Sequence, residues 1–246
     1  MTAIAEPGGS VIDAALSADL ATAALDLARR FHNGATLWVI SPQWEPHAHH
    51  VAVEFVHPVV MGKRALASVA LVEPDPVAQA RVAANPGDLL LAIASAGTPA
   101  VLDVMRRAPA WGVHTLWIGS GDRPPPGAAN HILWIDSDDP MVPATGGFVL
   151  LYHLLWELTH VCFEHPGLLK PPECTDDVCV TCSDEGRIGE VVLEPAGRTE
   201  PALVRTAAGE QWVDVSVIDA GQPVTPGDLV LIHAGAAIAR MDGGRL

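Results

Sequence analysis

Five short apolar runs, spaced by helical patterns or a Gly/Pro loop, constrain this chain most. They are residues 36–40 (TLWVI), 65–72, 88–94 (DLLLAIA), 113–118 (VHTLWI) and 131–135 (HILWI). A strand apolar at nearly every position is buried on both faces, which parallel strands covered by helices provide. Helical periodicity marks residues 10–31, 46–57, 73–84, 100–107 and 148–163. In the first of these, Val11, Ala15, Leu16, Leu20, Ala24, Leu27, Ala28 and Phe31 recur at helical spacing, and Asn33-Gly34 supplies the stop. The expected fold is α/β: a doubly wound parallel five-stranded sheet over residues 1–168.

Beyond residue 168 the pattern changes. Residues 169–181 read as a linker carrying Pro171, Pro172 and cysteines. Strands are expected at 187–193, 202–206, 211–218 and 229–232, separated by turns at Pro195-Ala-Gly197, Ala208-Gly209 and Pro226-Gly-Asp228. Short strands at close intervals over 182–246 predict a small all-β barrel of OB type.

Cys174, Cys179 and Cys182 stand at the junction in a C-x4-C-x2-C spacing. Thiolates so clustered suit zinc, iron or an iron-sulfur cluster, or one serves as a single reactive ligand; a plain hinge is the bland reading. Cys162 lies before a proline break and no further Cys follows Cys182, which disfavours the cluster. The start of the chain lacks a signal-peptide pattern and no apolar run has transmembrane length, so a cytoplasmic location is expected. Thiols stay reduced there, which favours metal over disulfide. A net charge of −15 argues against nucleic acid or an anionic membrane as partner.

The strongest pattern in the first half occurs twice. His50-Val-Ala-Val-Glu54-Phe-Val-His57 and His153-Leu-Leu-Trp-Glu157-Leu-Thr-His160 both read H-x3-E-x2-H, and Glu164 extends the second. At about 100° per residue such positions share one narrow wedge of a helix. Imidazole and carboxylate are zinc ligands. The second stripe lies on a helix that is otherwise apolar nearly all round, where unpartnered polar groups would cost several kcal/mol. His50, Glu54, His57, His153, Glu157 and His160 are the candidate ligands, with Glu54 or Glu157 as catalytic base. His47 and His49 read as helix-surface residues. At the strand ends, Ser41 and the Ser95-Ala-Gly-Thr98 loop lie where open α/β sheets bind ligands. Ser41, Ser95 and Thr98 are candidate phosphate donors, or ordinary helix caps.

Asn85-Pro-Gly-Asp88-Leu-Leu-Leu-Ala-Ile-Ala-Ser95-Ala-Gly97, then Gly112-Val-His-Thr-Leu-Trp-Ile-Gly119, then a His-bearing helix, resembles a sugar isomerase (SIS) domain of the phosphoheptose isomerase kind over about residues 10–165. The resemblance implies zinc bound by His50 and Glu54, completed by His160. The family's Gln position falls on Tyr152. Its glycine-rich turn is replaced by Ser41-Pro-Gln-Trp44-Glu-Pro46, and its phosphate loop by Ala94-Ser95-Ala96-Gly97-Thr98-Pro99, which loses most of the hydroxyls. The fold would imply a homodimer or homotetramer and a sugar-phosphate-like ligand.

Pro226-Gly-Asp228-Leu-Val-Leu-Ile-His233-Ala-Gly235-Ala-Ala-Ile238 resembles the HypC/HupF chaperones of [NiFe]-hydrogenase assembly, and Cys182-Ser-Asp-Glu-Gly-Arg187-Ile-Gly-Glu matches their start. The resemblance implies that Cys182 and His233 handle iron or the Fe(CN)2CO fragment, with Cys179 or Cys174 as further thiolates. The partners it implies are hydrogenase maturation scaffold proteins and the hydrogenase large-subunit precursor. Two functions are therefore expected: an accessory protein of hydrogenase maturation with a diverged metal-binding SIS domain, or a metal-dependent isomerase of the sedoheptulose 7-phosphate type with an appended barrel.

Overall fold

The computed structural model describes residues 12–72, 74–143, 146–170, 186–197, 200–218 and 222–241. The first half alternates as read: α1 (Ala14–His32), β1 (Leu37–Ile40), α2 (Glu45–Val56), β2 (Ser68–Leu71), α3 (Pro76–Ala83), β3 (Leu89–Ile93), α4 (Pro99–Arg107), β4 (His114–Ser120), β5 (His131–Ile135) and α5 (Gly147–Glu164). All five strands are parallel, in the order β2-β1-β3-β4-β5. Asp13 caps α1 by accepting from the Leu16 amide, and prolines open α3 and α4 within their first turns.

Side chains alternate along each strand, so one sheet feeds two cores. Leu89, Leu91, Ile93, Leu116, Ile118, Leu133 and Ile135 join residues of α1, α2 and α5 on one face. Leu90, Ala92, Trp117 and Trp134 join α3 and α4 on the other. β3 is buried throughout, which accounts for its unbroken apolar run. Asp88 pins the start of the sheet by accepting from the Thr36 and Asn85 amides and the Trp38 indole.

The second half is an antiparallel sheet of β6 (Arg187–Leu193), β7 (Ala202–Thr206), β8 (Gly209–Val213), β9 (Leu229–His233) and β10 (Ala236–Arg240), in the order β10-β9-β6-β7-β8. The sequence pattern missed β10 and carried β8 too far, to residue 218. A two-residue turn made of Ala234 and Gly235, both at positive φ (47° and 83°), sends β9 back into β10. The sheet's two edges meet at one isolated bridge, Asp214–Ala236, so it curls without the continuous ladder of the expected closed barrel.

The antiparallel sheet packs against α3, α4 and the segment Ala108–Trp111 of the first half. Glu190 of β6 is fully buried and accepts from Arg107 (3.0 Å) and the Trp111 indole (2.8 Å), with Arg81 at 3.2 Å. Arg107 also donates to the Gly227 carbonyl. Removing a buried carboxylate that holds such partners costs about 3–5 kcal/mol. Gly112, at φ 73°, sits at this contact, where a Cβ would lie 3.0 Å from Pro86 Cβ and 3.2 Å from the Ala207 backbone. Among the described residues, no helix is long and apolar enough to cross a membrane.

Candidate functional site

Helices α2 and α5 cross on one face of the sheet, and their polar residues meet at the crossing. His50 and His153 bring their Nε2 atoms to 3.2 Å, and Glu54 Oε2 lies 4.0 Å from His153 Nε2. The three ligand atoms lie within 4.8 Å of one another. Zinc–nitrogen bonds of 2.0–2.1 Å at tetrahedral angles put neighbouring donors about 3.3 Å apart, so the imidazole pair has the spacing one ion needs. The side chains of His153 and Glu54 are 42% and 15% exposed, which leaves an open side for a small molecule.

Behind His50 stands a row of hydrogen-bonding groups. Its Nδ1 is 2.8 Å from the Tyr152 hydroxyl, which is 3.3 Å from His47 Nδ1, and His47 Nε2 is 2.8 Å from the Pro143 carbonyl. Burial first, and then the charge of Glu54, push the Tyr152 hydroxyl up to about 12, so it keeps its proton. Burial, helped by the neighbouring His153, lowers the pKa of His50 against the opposing pull of Glu54. An uncharged imidazole is the form that binds metal.

The other members of the two stripes go elsewhere. His57 caps the end of α2. Glu157 and Glu164 both pair with Lys63, at 3.3 and 2.9 Å, and Glu157 is not among the residues gathered at the crossing. His160 is 2% exposed, and each of its ring nitrogens faces a carbonyl oxygen, Trp156 at 2.9 Å and Arg64 at 3.0 Å. His160 stands apart from the His50–Glu54–His153 group, so the structure does not bring it to the ligand position that the SIS resemblance implies. Sequence reasoning passed over His47 as a surface residue and saw in Tyr152 only a departure from the family. The recurrence of His47 three residues before His50 was the available signal.

The expected phosphate donors are also engaged. Ser41 is buried and donates to the Ile93 carbonyl. The Ser95 amide and the Thr98 hydroxyl both donate to Gln43 Oε1, at 2.9 and 3.0 Å. Asp122, Asp138 and Asp139 line the neighbouring cavity of about 370 Å³ together with Ser95 and Trp44. Carboxylates there disfavour an anionic ligand.

Among the described residues a second group has the same composition: Asp26, His114 and His131. His114 and His131 open β4 and β5, and each Nε2 meets Asp26 Oδ2, at 2.9 and 3.0 Å. Arg30 bonds Asp26 Oδ1 and reaches His114 Nδ1 at 2.7 Å. Burial opposes ionisation of Asp26, but hydrogen bonds from His114 and His131 and the charges around it outweigh burial and hold its carboxyl far below the usual range. Cys174, Cys179 and Cys182 lie outside the described residues; His233 ends β9.

No family model matches the chain, and no curated protein matches it. A phosphoheptose isomerase from Francisella tularensis is similar in structure, with a TM-score of 0.53 and 18% identity over 60% of this chain and 88% of that one. A phosphoheptose isomerase from Neisseria gonorrhoeae gives a TM-score of 0.48 and 16% identity over 58% and 86%. The sugar isomerase domain of an RpiR transcription factor from Sphaerobacter thermophilus gives 0.43 and 16% over 61% and 81%. The likeness to the Francisella structure shows the sugar-isomerase fold over about 60% of this chain.

Proposed function

We propose that the parallel-sheet half is a divalent-metal site of isomerase type that acts on a small hydroxy-carbonyl compound without a phosphate group. The convergence of His50, Glu54 and His153 at one helix crossing carries this reading. Zinc fits the donor set best, and when bound it supplies a Lewis acid for a carbonyl oxygen. Glu54 has two oxygens, one to reach the ion and one to take the proton that moves between adjacent carbons. Gln43 occupies the loop donors and carboxylates line the adjoining cavity, which supports an unphosphorylated ligand. The test is proton exchange. The zinc-loaded protein is incubated in deuterium oxide with aldoses and with their phosphates, and deuterium beside the carbonyl is followed by proton NMR. Exchange into an unphosphorylated aldose, lost in Glu54→Gln, is expected; exchange confined to sugar phosphates would sink the substrate assignment.

A second reading concerns the antiparallel half, for which we propose the iron-handling role of a hydrogenase maturation accessory protein. It is favoured by strand register: Arg187, five residues after Cys182 in sequence, pairs with Ile232, the neighbour of His233. The thiolate of Cys182 and the imidazole of His233 would then serve one low-spin iron, with the maturation scaffold as partner. Cys182→Ser and His233→Ala, each co-expressed with the maturation proteins, are compared for iron content and for cyanide and CO infrared bands. Unchanged bands in both variants would end this reading.

A further inference from the structure

The row Pro143–His47–Tyr152–His50 has a direction fixed at one end. A proline carbonyl only accepts, so His47 Nε2 carries the hydrogen of that 2.8 Å contact. With its one hydrogen on Nε2, His47 has a lone pair on Nδ1 and accepts from the Tyr152 hydroxyl at 3.3 Å. That hydroxyl has spent its single hydrogen. Its oxygen can then only accept from His50, so Nδ1 of His50 is the protonated nitrogen at 2.8 Å. The lone pair of His50 is left on Nε2, 3.2 Å from His153 Nε2 and beside Glu54. We infer that Tyr152 and His47 are positioning residues, which lock His50 in the tautomer whose Nε2 faces the metal site. This inference rests on the metal-site reading above for its use, but not for its geometry.

The ring of Tyr152 packs edge-on to His47 and His50 at centroid distances of 5.8 and 5.2 Å. Tyr152 is itself fully buried, so its hydroxyl cannot swing away to water. Metal-binding imidazoles commonly have the second nitrogen held by such a partner, and loss of the partner weakens binding roughly 10- to 100-fold.

The test reads the tautomer directly. Long-range nitrogen–proton correlation spectra of the full, metal-free chain at pH 8 distinguish the two neutral forms of each histidine. The expected spectrum shows His50 protonated at Nδ1 and His47 at Nε2. In Tyr152→Phe, which removes only the hydroxyl, His50 should become a mixture of tautomers and calorimetric zinc affinity should fall roughly 10- to 100-fold. A wild-type His50 protonated at Nε2 would overturn the inference, and so would an unchanged tautomer in Tyr152→Phe. The wild-type spectrum needs no variant to fold. Because it is recorded without metal, it stands even if zinc does not bind, in which case the metal-site reading alone fails.

Discussion

Asp26, His114 and His131 gather at the first residues of β4 and β5; His50, Glu54 and His153 gather where α2 crosses α5. Both groups hold two imidazoles and a carboxylate, and composition alone cannot tell them apart. The difference lies behind the imidazoles. Arg30 faces His114 Nδ1 at 2.7 Å, and a guanidinium only donates. His114 must therefore accept at Nδ1 and carry its proton on Nε2, which donates to Asp26. A metal at that nitrogen would have to displace this proton while Arg30 blocks the other site. At His50 the corresponding partner is a hydroxyl, which can accept. One cluster is a satisfied staple joining α1 to two strands; in the other the lone pair of His50 Nε2 faces His153 and Glu54 on a partly open side.

The comparison can be broken by mutation. His50→Ala should weaken zinc binding more than about 100-fold while changing unfolding free energy by less than ~1 kcal/mol, as calorimetry and urea melts would show. Asp26→Ala should do the reverse. It leaves Arg30 and two imidazoles without their acceptor, at about 2–3 kcal/mol in urea unfolding, with zinc affinity unchanged.

Acid titration sharpens the contrast further. The folded carboxyl of Asp26 is held below its ordinary 3.8, so its stabilisation is present above that value and lost only as pH falls below it. The pKa of His50 is lowered from 6.5 by burial and by His153. Its imidazole shifts in the metal-free chain should therefore have their midpoint below pH 6.5, whereas the Asp26 staple should survive to much lower pH in thermal melts. The smallest effect is expected from Arg30→Met, which frees His114 Nδ1. A second zinc equivalent should appear in calorimetry, at least about tenfold weaker than the first, since His114 lacks an orienting acceptor.

How far the site was legible follows from helix geometry. The second H-x3-E-x2-H stripe holds as an angular pattern, since His153, Glu157 and His160 share one wedge of α5, whereas His57 falls just beyond α2 and leaves the first stripe incomplete. A wedge has length, however. At 1.5 Å per residue, His160 stands roughly 10 Å along the axis from His153, and α2 crosses near His153. Only the crossing point decides which members meet, and that depends on how Ala48, Val51 and Phe55 pack against Tyr152 and Leu155. The α/β half was legible because burial on both faces leaves unbroken apolar runs such as residues 89–93. The C-terminal strand β10 was not, because Ala236–Arg240 is short and only partly buried, and an alanine at positive φ gives no turn signal. The Asp26 staple had a faint trace in the sequence: histidine opens two successive strands, and adjacent parallel strands start at the same sheet edge.

Cobalt titration followed by visible spectroscopy tests the central claim most directly, because the ligand-field bands report both stoichiometry and coordination. One cobalt per chain is expected, with bands of low coordination number that vanish in His153→Ala and persist in His114→Ala. Bands that survive in His153→Ala, or that vanish in His114→Ala, would contradict the assignment of the metal site to the crossing of α2 and α5.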